Sequence, residues 1–224
     1  MNRAARAIGS AFLILATSTR VFASRGGSMS STSSPELTPQ QRAAELYNTG
    51  LKSRDRAVKI LKDSKEVPAG DERAKMEAKA TKEFEKAIAK FQQAIKLNPR
   101  LHQAYSDLGF SLRKTGDYNG ALAAYGQALA LAPGYTPAIE YRAEAYLALN
   151  KLEDAKQAYI QLFPSDRAHA DELLDAMKAW VETRHSDPGD LSPDAVQDFG
   201  QWVGQRDEIA KQTPTVSQLQ RRDW

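Results

Sequence analysis

The sequence contains no cysteine and only three histidines, His102, His169 and His185. The lack of cysteine excludes disulfide bonds, thiolate metal ligands and a cysteine nucleophile. No two histidines lie within four residues of each other, so no helix carries a paired-histidine zinc motif. The chain also lacks a glycine-rich phosphate-binding loop. These absences predict a protein that is not an enzyme and that binds no metal and no cofactor.

Few residues remain as candidates for chemistry. His185, Asp187 and Asp190 lie close together in sequence, but their spacing fits no calcium-binding loop and is typical of a turn. An enzyme site on residues 185–211 would rest on these three residues alone. His169 is followed by Asp171 and Glu172, which we interpret as acids of a helix N-terminus, where the helix dipole favours them.

Residues 1–23 have the pattern of a secretory leader. Arg3 and Arg6 precede an apolar run over residues 7–17, and Val21-Phe22-Ala23 places small residues where a signal peptidase reads them. The run is about half of the roughly 20 residues that span a bilayer. We therefore predict cleavage after Ala23, with no membrane anchor left, and export to the periplasm or secretion.

Loss of the leader changes the charge of the protein. The leader carries Arg3, Arg6 and Arg20 and no acid, so Lys+Arg falls from 31 to 28, which equals the 28 Asp+Glu. A net charge of zero does not favour nucleic acid as a partner. Residues 24–37 are rich in serine, glycine and threonine and are predicted to form a disordered linker.

Small and aromatic residues recur at a fixed interval in the rest of the chain. The recurring positions are Ala87, Ala121 and Ala155, then Phe91, Tyr125 and Tyr159, with Gly109 followed by Ala143 and Pro99 by Pro133. The interval, about 34 residues, is typical of stacked helix-turn-helix units. Small residues are expected where two helices touch, because bulky side chains would hold the helix axes apart and leave voids.

The central unit, residues 102–135, resembles the tetratricopeptide repeat family. Its motif is Tyr105-x2-Leu108-Gly109-x2-Leu112, then Ala121-x3-Tyr125 and Pro133. The resemblance covers residues 40–165 and implies an all-α fold, a short α-solenoid of about three helix-turn-helix repeats with a C-terminal capping helix. The concave groove of such proteins binds peptides or partner helices. The resemblance therefore implies a non-enzymatic module that binds a protein or peptide.

The predicted repeat domain spans residues 38–184 and begins with an enlarged repeat, residues 38–101. In this repeat Gly50 and Ala87 are 37 residues apart, whereas the matching Gly109 and Ala121 are 12 apart. We interpret the extra residues as a lengthening of both helices into an antiparallel hairpin around Pro68. The predicted apolar seams are Tyr47, Leu51, Arg54, Val58 and Leu61 on the first helix and Met76, Ala80, Phe84, Ile88, Phe91 and Ile95 on the second.

The remaining segments follow from caps, breaks and the repeat period. The second repeat is predicted over 102–135, the third over 136–165 and the capping helix over 166–184. A C-terminal helix is predicted over 191–211, and a flexible tail over 212–224. That helix has an apolar side of Phe199, Trp202 and Val203 and could fold back into the groove.

Nine partner-binding residues follow from matching the family's groove positions to this chain. They are Tyr47, Leu51 and Arg54 in the first repeat, Ser106, Phe110 and Arg113 in the second, and Glu140, Tyr141 and Glu144 in the third. Family members that bind a C-terminal carboxylate have lysine and asparagine at groove positions where this chain has Ser106, Phe110, Glu140 and Glu144. The residues at these groove positions favour instead a ligand with an apolar anchor and some positive charge. Phe110 is expected to need an apolar partner.

One alternative function remains open at this stage. The seam of the long hairpin, residues 45–95, could pair between two chains as a coiled coil. The protein would then be a self-associating structural or assembly protein.

Overall fold

The computed structural model describes residues 37–213, which form eight α-helices and contain no strand. The helices are α1 (Pro39–Ser64), α2 (Asp71–Leu97), α3 (His102–Lys114), α4 (Tyr118–Leu131), α5 (Thr136–Ala148), α6 (Leu152–Ser165), α7 (Arg167–Ser186) and α8 (Pro193–Gln212). The predicted all-α solenoid is confirmed. The predicted leader, the linker up to residue 36 and the tail from residue 214 lie outside the described residues. Within residues 37–213 no helix is long and apolar enough to cross a membrane.

Side-chain caps explain where α1 and α8 begin. The backbone N–H of Gln41 donates to Thr38 Oγ1 at 3.2 Å, and the backbone N–H of Thr38 donates to Gln41 Oε1 at 2.8 Å. This reciprocal pair is a capping box, and it satisfies two backbone donors that the first turn leaves free. At α8 the N–H of Ala195 donates to the Ser192 hydroxyl at 3.2 Å. A proline follows each cap, where its fixed φ suits the first turn.

The turns within the second and third repeats have the same backbone geometry. Gly116 has φ of 89° and Asn150, one repeat period later, has φ of 56°. In both turns the next residue donates its N–H to a carbonyl five residues earlier at 2.9 Å. Glycine and asparagine are the residues that most readily adopt this left-handed conformation at a helix end. The repeat period is therefore present in the backbone as well as in the side chains.

Each repeat packs an aromatic ring of its second helix over a small residue of its first. A Cβ added to Gly50 would lie 2.5 Å from the Phe91 ring, and one added to Gly109 would lie 2.6 Å from the Tyr125 ring. Ala143 has this position in the third repeat and is fully buried. The alanines that recur at the repeat period in α2, α4 and α6 are fully buried too. The small residues thus lie at equivalent helix contacts.

The long helices α1 and α2 lie antiparallel. Phe91 contacts Gly50 near one end of the pair, and Arg73 Nε donates to the Ser64 carbonyl at 2.9 Å near the other. The apolar seam predicted for α1 is wrong, because the buried residues of α1 are all small: Ala43, Gly50, Ser53, Ala57 and Ser64. Small residues at the contact let the axes of α1 and α2 approach closely, so the larger side chains of α1 lie beside the contact and not within it. Val58 is consequently 41% exposed.

The stack curves because the first helices of successive pairs touch one another. Helix α1 contacts α3, α3 contacts α5, and α5 contacts α7, whereas such contacts are sparse or absent between the second helices in the described part of the chain. The first helices therefore line the concave face, which gives the predicted groove residues on α1, α3 and α5 a common side.

A fourth helix pair, α7 and α8, closes the stack. Helix α7 packs against α5 and α6 in the way that α5 packs against α3 and α4. On α8 the Phe199 ring lies 5.2 Å from Trp180 and the Trp202 ring 5.7 Å from Tyr159 of α6. The possibility that α8 folds back into the groove is therefore wrong. Its apolar side instead packs along α7 and against Tyr159 of α6.

Candidate functional site

The nine predicted groove residues lie on the first helices α1, α3 and α5, and direct contacts join four of them: Phe110, Arg113, Tyr141 and Glu144. Tyr47 Oη donates to Asp107 Oδ2 at 2.7 Å, and the Arg54 guanidinium pairs with the other oxygen of the same carboxylate. Burial and the neighbouring Asp107 raise the pKa of Tyr47 above its ordinary value, so the phenol stays protonated. This network joins α1 to α3. Leu51, on the same helix, is half-buried, and Ser106 of α3 is buried.

Phe110 has its apolar partners within the chain. Its ring lies 6.2 Å from that of Phe84 on α2 and 5.1 Å from that of Tyr141 on α5, measured between centroids. The Arg113 guanidinium lies 5.4 Å from the Phe110 ring centroid, within the range of a cation–π contact. The expectation that Phe110 needs an outside partner is wrong, because neighbouring helices already cover much of the ring.

The two glutamates of the third repeat also have internal partners. Arg113, only 9% exposed, forms an ion pair with Glu144. Burial opposes ionisation of Glu144, but the charges of Arg113 and Lys114 outweigh it and lower its pKa. Glu140 is 2% exposed, and burial raises its pKa to about 8. Neither acid presents unpaired negative charge to the groove, so the reason for expecting a positively charged ligand does not hold.

A cluster around His169 was not predicted from the sequence. His169 Nδ1 lies 3.3 Å from Glu140 Oε2 and 3.6 Å from Glu172 Oε2, while Nε2 lies 3.9 Å from Asp166 Oδ2. The hydrogen bond with Glu140 is the largest cause that raises the pKa of His169. The cluster joins α5 to α7. Sequence reasoning placed Glu172 correctly near a helix start but could not pair His169 with a residue two helices earlier.

An open cleft of about 450 Å³ lies between α5 and α7 and continues the concave face. We call it the α5–α7 cleft. Its lining residues are Tyr118, Glu144, Leu147, Ala148, Ala176, Ala179, Trp180, Thr183 and Arg184. Of these only Glu144 belongs to the nine predicted residues. No motif in the sequence singles out the other eight.

The aromatic wall of the α5–α7 cleft is held in place. Trp180 Nε1 donates to the Leu147 carbonyl at 2.8 Å, which ties α7 to the C-terminal end of α5. Arg184 Nη2 donates to Asn150 Oδ1 at 3.3 Å, and its guanidinium lies 5.7 Å from the Trp180 ring centroid. The cleft is thus preformed, with an apolar floor between Glu144 at one end and Arg184 at the other.

Two of the three candidates for an enzyme site, His185 and Asp187, make local contacts. A ring nitrogen of His185 lies 3.0 Å from the Val181 carbonyl oxygen within α7. Asp187 Oδ1 accepts a hydrogen bond from the Gly189 N–H at 3.2 Å, as expected for a turn. These contacts shape the end of α7.

Helix pairs stacked with their first helices along a concave face define a helical-repeat interaction module. The family description "Tetratricopeptide repeat" matches residues 112–181, and "TPR repeat" matches residues 79–116. Together the two descriptions cover residues 79–181, so this part of the chain consists of tetratricopeptide repeats. No curated protein sequence matches it.

Several solved tetratricopeptide repeat structures are similar to this chain at low identity. The first such domain of Spaghetti (RPAP3), bound to the HSP90 peptide SRMEEVD, is 20% identical with a TM-score of 0.42, covering 59% of this chain and 96% of its own. The second such domain of human RPAP3, in complex with the HSP70 peptide SGPTIEEVD, is 20% identical with a TM-score of 0.42. The match covers 61% of this chain and 98% of that domain. The Sgt2 tetratricopeptide repeat domain from Aspergillus fumigatus is 18% identical with a TM-score of 0.36. The match covers 72% of this chain and 86% of that domain.

Proposed function

We propose that this protein is a non-enzymatic interaction module that binds a peptide or helix of a partner protein in the α5–α7 cleft. The observation that carries the proposal is the cleft itself. It is an apolar depression of about 450 Å³ on the concave face, between two first helices of a repeat stack. The concave surface of stacked helical repeats is the side with which such proteins bind their partners.

The cleft is a better candidate than the rest of the groove because its surface is free. Nearer the first repeat, Arg54, Phe110 and Arg113 are engaged with other side chains of the chain. In the cleft, Ala179 and Thr183 are exposed, and Ala148 and Ala176 are partly exposed. Small side chains leave room for a partner's side chains, while Trp180 offers a fixed apolar wall.

The chemistry of the cleft defines the kind of partner. Its floor consists of alanines and a leucine, which suits the apolar side of a short amphipathic helix or a peptide with one apolar anchor. Glu144 is 24% exposed at its side chain and already paired, so it can accept a hydrogen bond from a partner without leaving Arg113. The partner is therefore recognised mainly by apolar fit, with polar contacts at the two ends.

A charged side chain in the cleft tests the proposal. Ala179→Glu places a carboxylate on an exposed position of the floor, where it costs the fold little, and should weaken partner capture at least tenfold. Ala123→Glu makes the same change at an exposed position of α4, outside the cleft, and serves as the matched control.

The assay is crosslinking and pull-down from the cell envelope fraction with each variant as bait, followed by binding measurements on the captured partner. Capture that survives Ala179→Glu, or that Ala123→Glu abolishes equally, would contradict binding in this cleft. Circular dichroism checks that both variants keep the helicity of the parent chain.

We also propose that the module works outside the cytoplasm, in the periplasm or secreted. The leader pattern of residues 1–23 supports this, since its basic start and apolar run are followed by small residues at Val21 and Ala23. N-terminal sequencing of the protein from the periplasmic fraction should give Ser24 as the first residue. Protein found only in the cytoplasm, with its leader intact, would refute export.

A further inference from the structure

We propose that Glu140, His169 and Glu172 bind one divalent transition-metal ion of the Zn²⁺ class, which links α5 to α7. This site is separate from the α5–α7 cleft and does not depend on the proposed function. The ligand atoms of the three side chains all lie within 4.8 Å of one another. One imidazole nitrogen and two carboxylate oxygens are donors that zinc commonly takes in proteins.

The two distances from His169 Nδ1 are those of ligand atoms that share one ion. His169 Nδ1 lies 3.3 Å from a Glu140 oxygen and 3.6 Å from a Glu172 oxygen. In a tetrahedral site with bonds of about 2.0–2.2 Å, neighbouring ligand atoms are about 3.3–3.6 Å apart. Hydrogen bonds between nitrogen and oxygen are typically about 2.7–3.2 Å long. A single ring nitrogen carries at most one proton, so it cannot donate linearly to two carboxylates, whereas an ion on that nitrogen can bind both.

A further carboxylate lies behind the imidazole ring of His169. Nε2 of His169 faces Asp166 Oδ2 at 3.9 Å. Asp166 is itself held, since it accepts a hydrogen bond from Thr136 Oγ1 at 2.7 Å and one from the His169 backbone N–H at 3.3 Å. A carboxylate behind the ring favours the proton on Nε2 and leaves Nδ1 free to bind an ion.

The charges around the cluster also favour a cation. Glu140, Glu144, Asp166 and Glu172 place four carboxyl groups near one another, and Glu144 already uses the charge of Arg113. Glu140 is 2% exposed, and a buried carboxylate is costly unless a cation or a proton neutralises it. The Glu172 side chain is 44% exposed, so an ion reaches the site from the surface without opening the core.

Metal titration of the full chain tests the site. After dialysis against EDTA and then against metal-free buffer, isothermal titration with Zn²⁺ should give one bound ion per chain. Co²⁺ should give the visible absorption bands of a four-coordinate site. His169→Gln and Glu172→Gln should each weaken Zn²⁺ binding at least tenfold, and His185→Gln, which alters an exposed histidine outside the cluster, should leave it unchanged.

The variants separate this site from adventitious binding. Glu172 is an exposed residue, so Glu172→Gln leaves the fold intact even if a change at His169 disturbs it. Zn²⁺ bound equally well by the parent chain and by Glu172→Gln would overturn the proposal, as would the absence of a saturable single site. Neither result bears on partner capture in the α5–α7 cleft, which is measured with Ala179→Glu.

Discussion

The contact between Gly109 and the Tyr125 ring offers a direct test of how the repeats pack. Gly109→Ala adds a Cβ that would lie 2.6 Å from Tyr125 Cε1, closer than side-chain carbons approach in proteins. Tyr125 is fully buried, so its ring cannot swing into solvent. The axes of α3 and α4 must therefore move apart, or the ring must leave its position.

The expected size of the effect is the difference of two terms. Overpacking a well-packed core costs about 1–3 kcal/mol, and the rigid ring places this site near the upper end. Alanine in a helix interior is favoured over glycine by about 1 kcal/mol. Gly109→Ala should therefore lower the free energy of unfolding by about 2 kcal/mol. For a chain of this size that corresponds to a fall in Tm of roughly 4–8 °C.

Gly126 of α4 provides the matched control. It is also a helical glycine, but a Cβ added there meets no atom within 4 Å. Gly126→Ala should therefore raise the free energy of unfolding by up to about 1 kcal/mol, the helix-propensity gain alone. Urea denaturation followed by circular dichroism measures both variants. In a Tyr125→Leu background the cost of Gly109→Ala should largely disappear. Equal shifts for the two alanine variants would refute the proposed packing.

Three further variants probe the networks between helices. Tyr47→Phe removes the hydroxyl that donates to Asp107 and should cost about 1–2 kcal/mol in urea denaturation, with no cost if that bond is absent in solution. Arg113→Met removes the cation that pairs directly with Glu144 and should cost about 2–3 kcal/mol, a loss that Arg113→Lys should partly recover. Hydrogen bonds from Lys211 and Lys178 lower the pKa of Asp207 in the folded protein. The ionised Asp207 therefore stabilises the fold fully above pH 3.8, the ordinary pKa of the group, and this stabilisation is lost as the pH falls through the lower pKa of the folded state. Asp207→Asn should reduce the loss of unfolding free energy at low pH by less than about 1 kcal/mol. An unchanged dependence of stability on pH would count against the pairing.

Much of the fold could be predicted because its signals are local. The repeat period and the chain reversal around Pro68 are properties of short stretches, and the predicted hairpin forms there as α1 and α2. The glycine at residue 116 and the asparagine at 150 likewise determine their turns by backbone conformation alone. Each of these features acts within one or two helical turns and needs no knowledge of what lies beside it.

The candidate site was harder to predict because it depends on which helices touch. The rotation of α1 is set by small residues such as Ser53 and Ala57, whereas the predicted seam follows the largest apolar side chains. Asp107 lies directly after Ser106 but gives no signal of its role in the sequence, since its partners lie two helices earlier, on α1. The sequence pattern does not tell which helix faces neighbouring helices already cover.

The α1–α2 hairpin is long enough that its two ends differ in local stability. Helix α1 has 26 residues and α3 only 13, roughly 39 Å against 20 Å, so the far end of the hairpin extends past its neighbour. Over residues 71–79 no side chain is buried. Amide hydrogens there should exchange with solvent well before those around Phe91, because opening this end breaks few tertiary contacts. The tip can therefore unfold and refold, or bend, while the repeats below it stay intact.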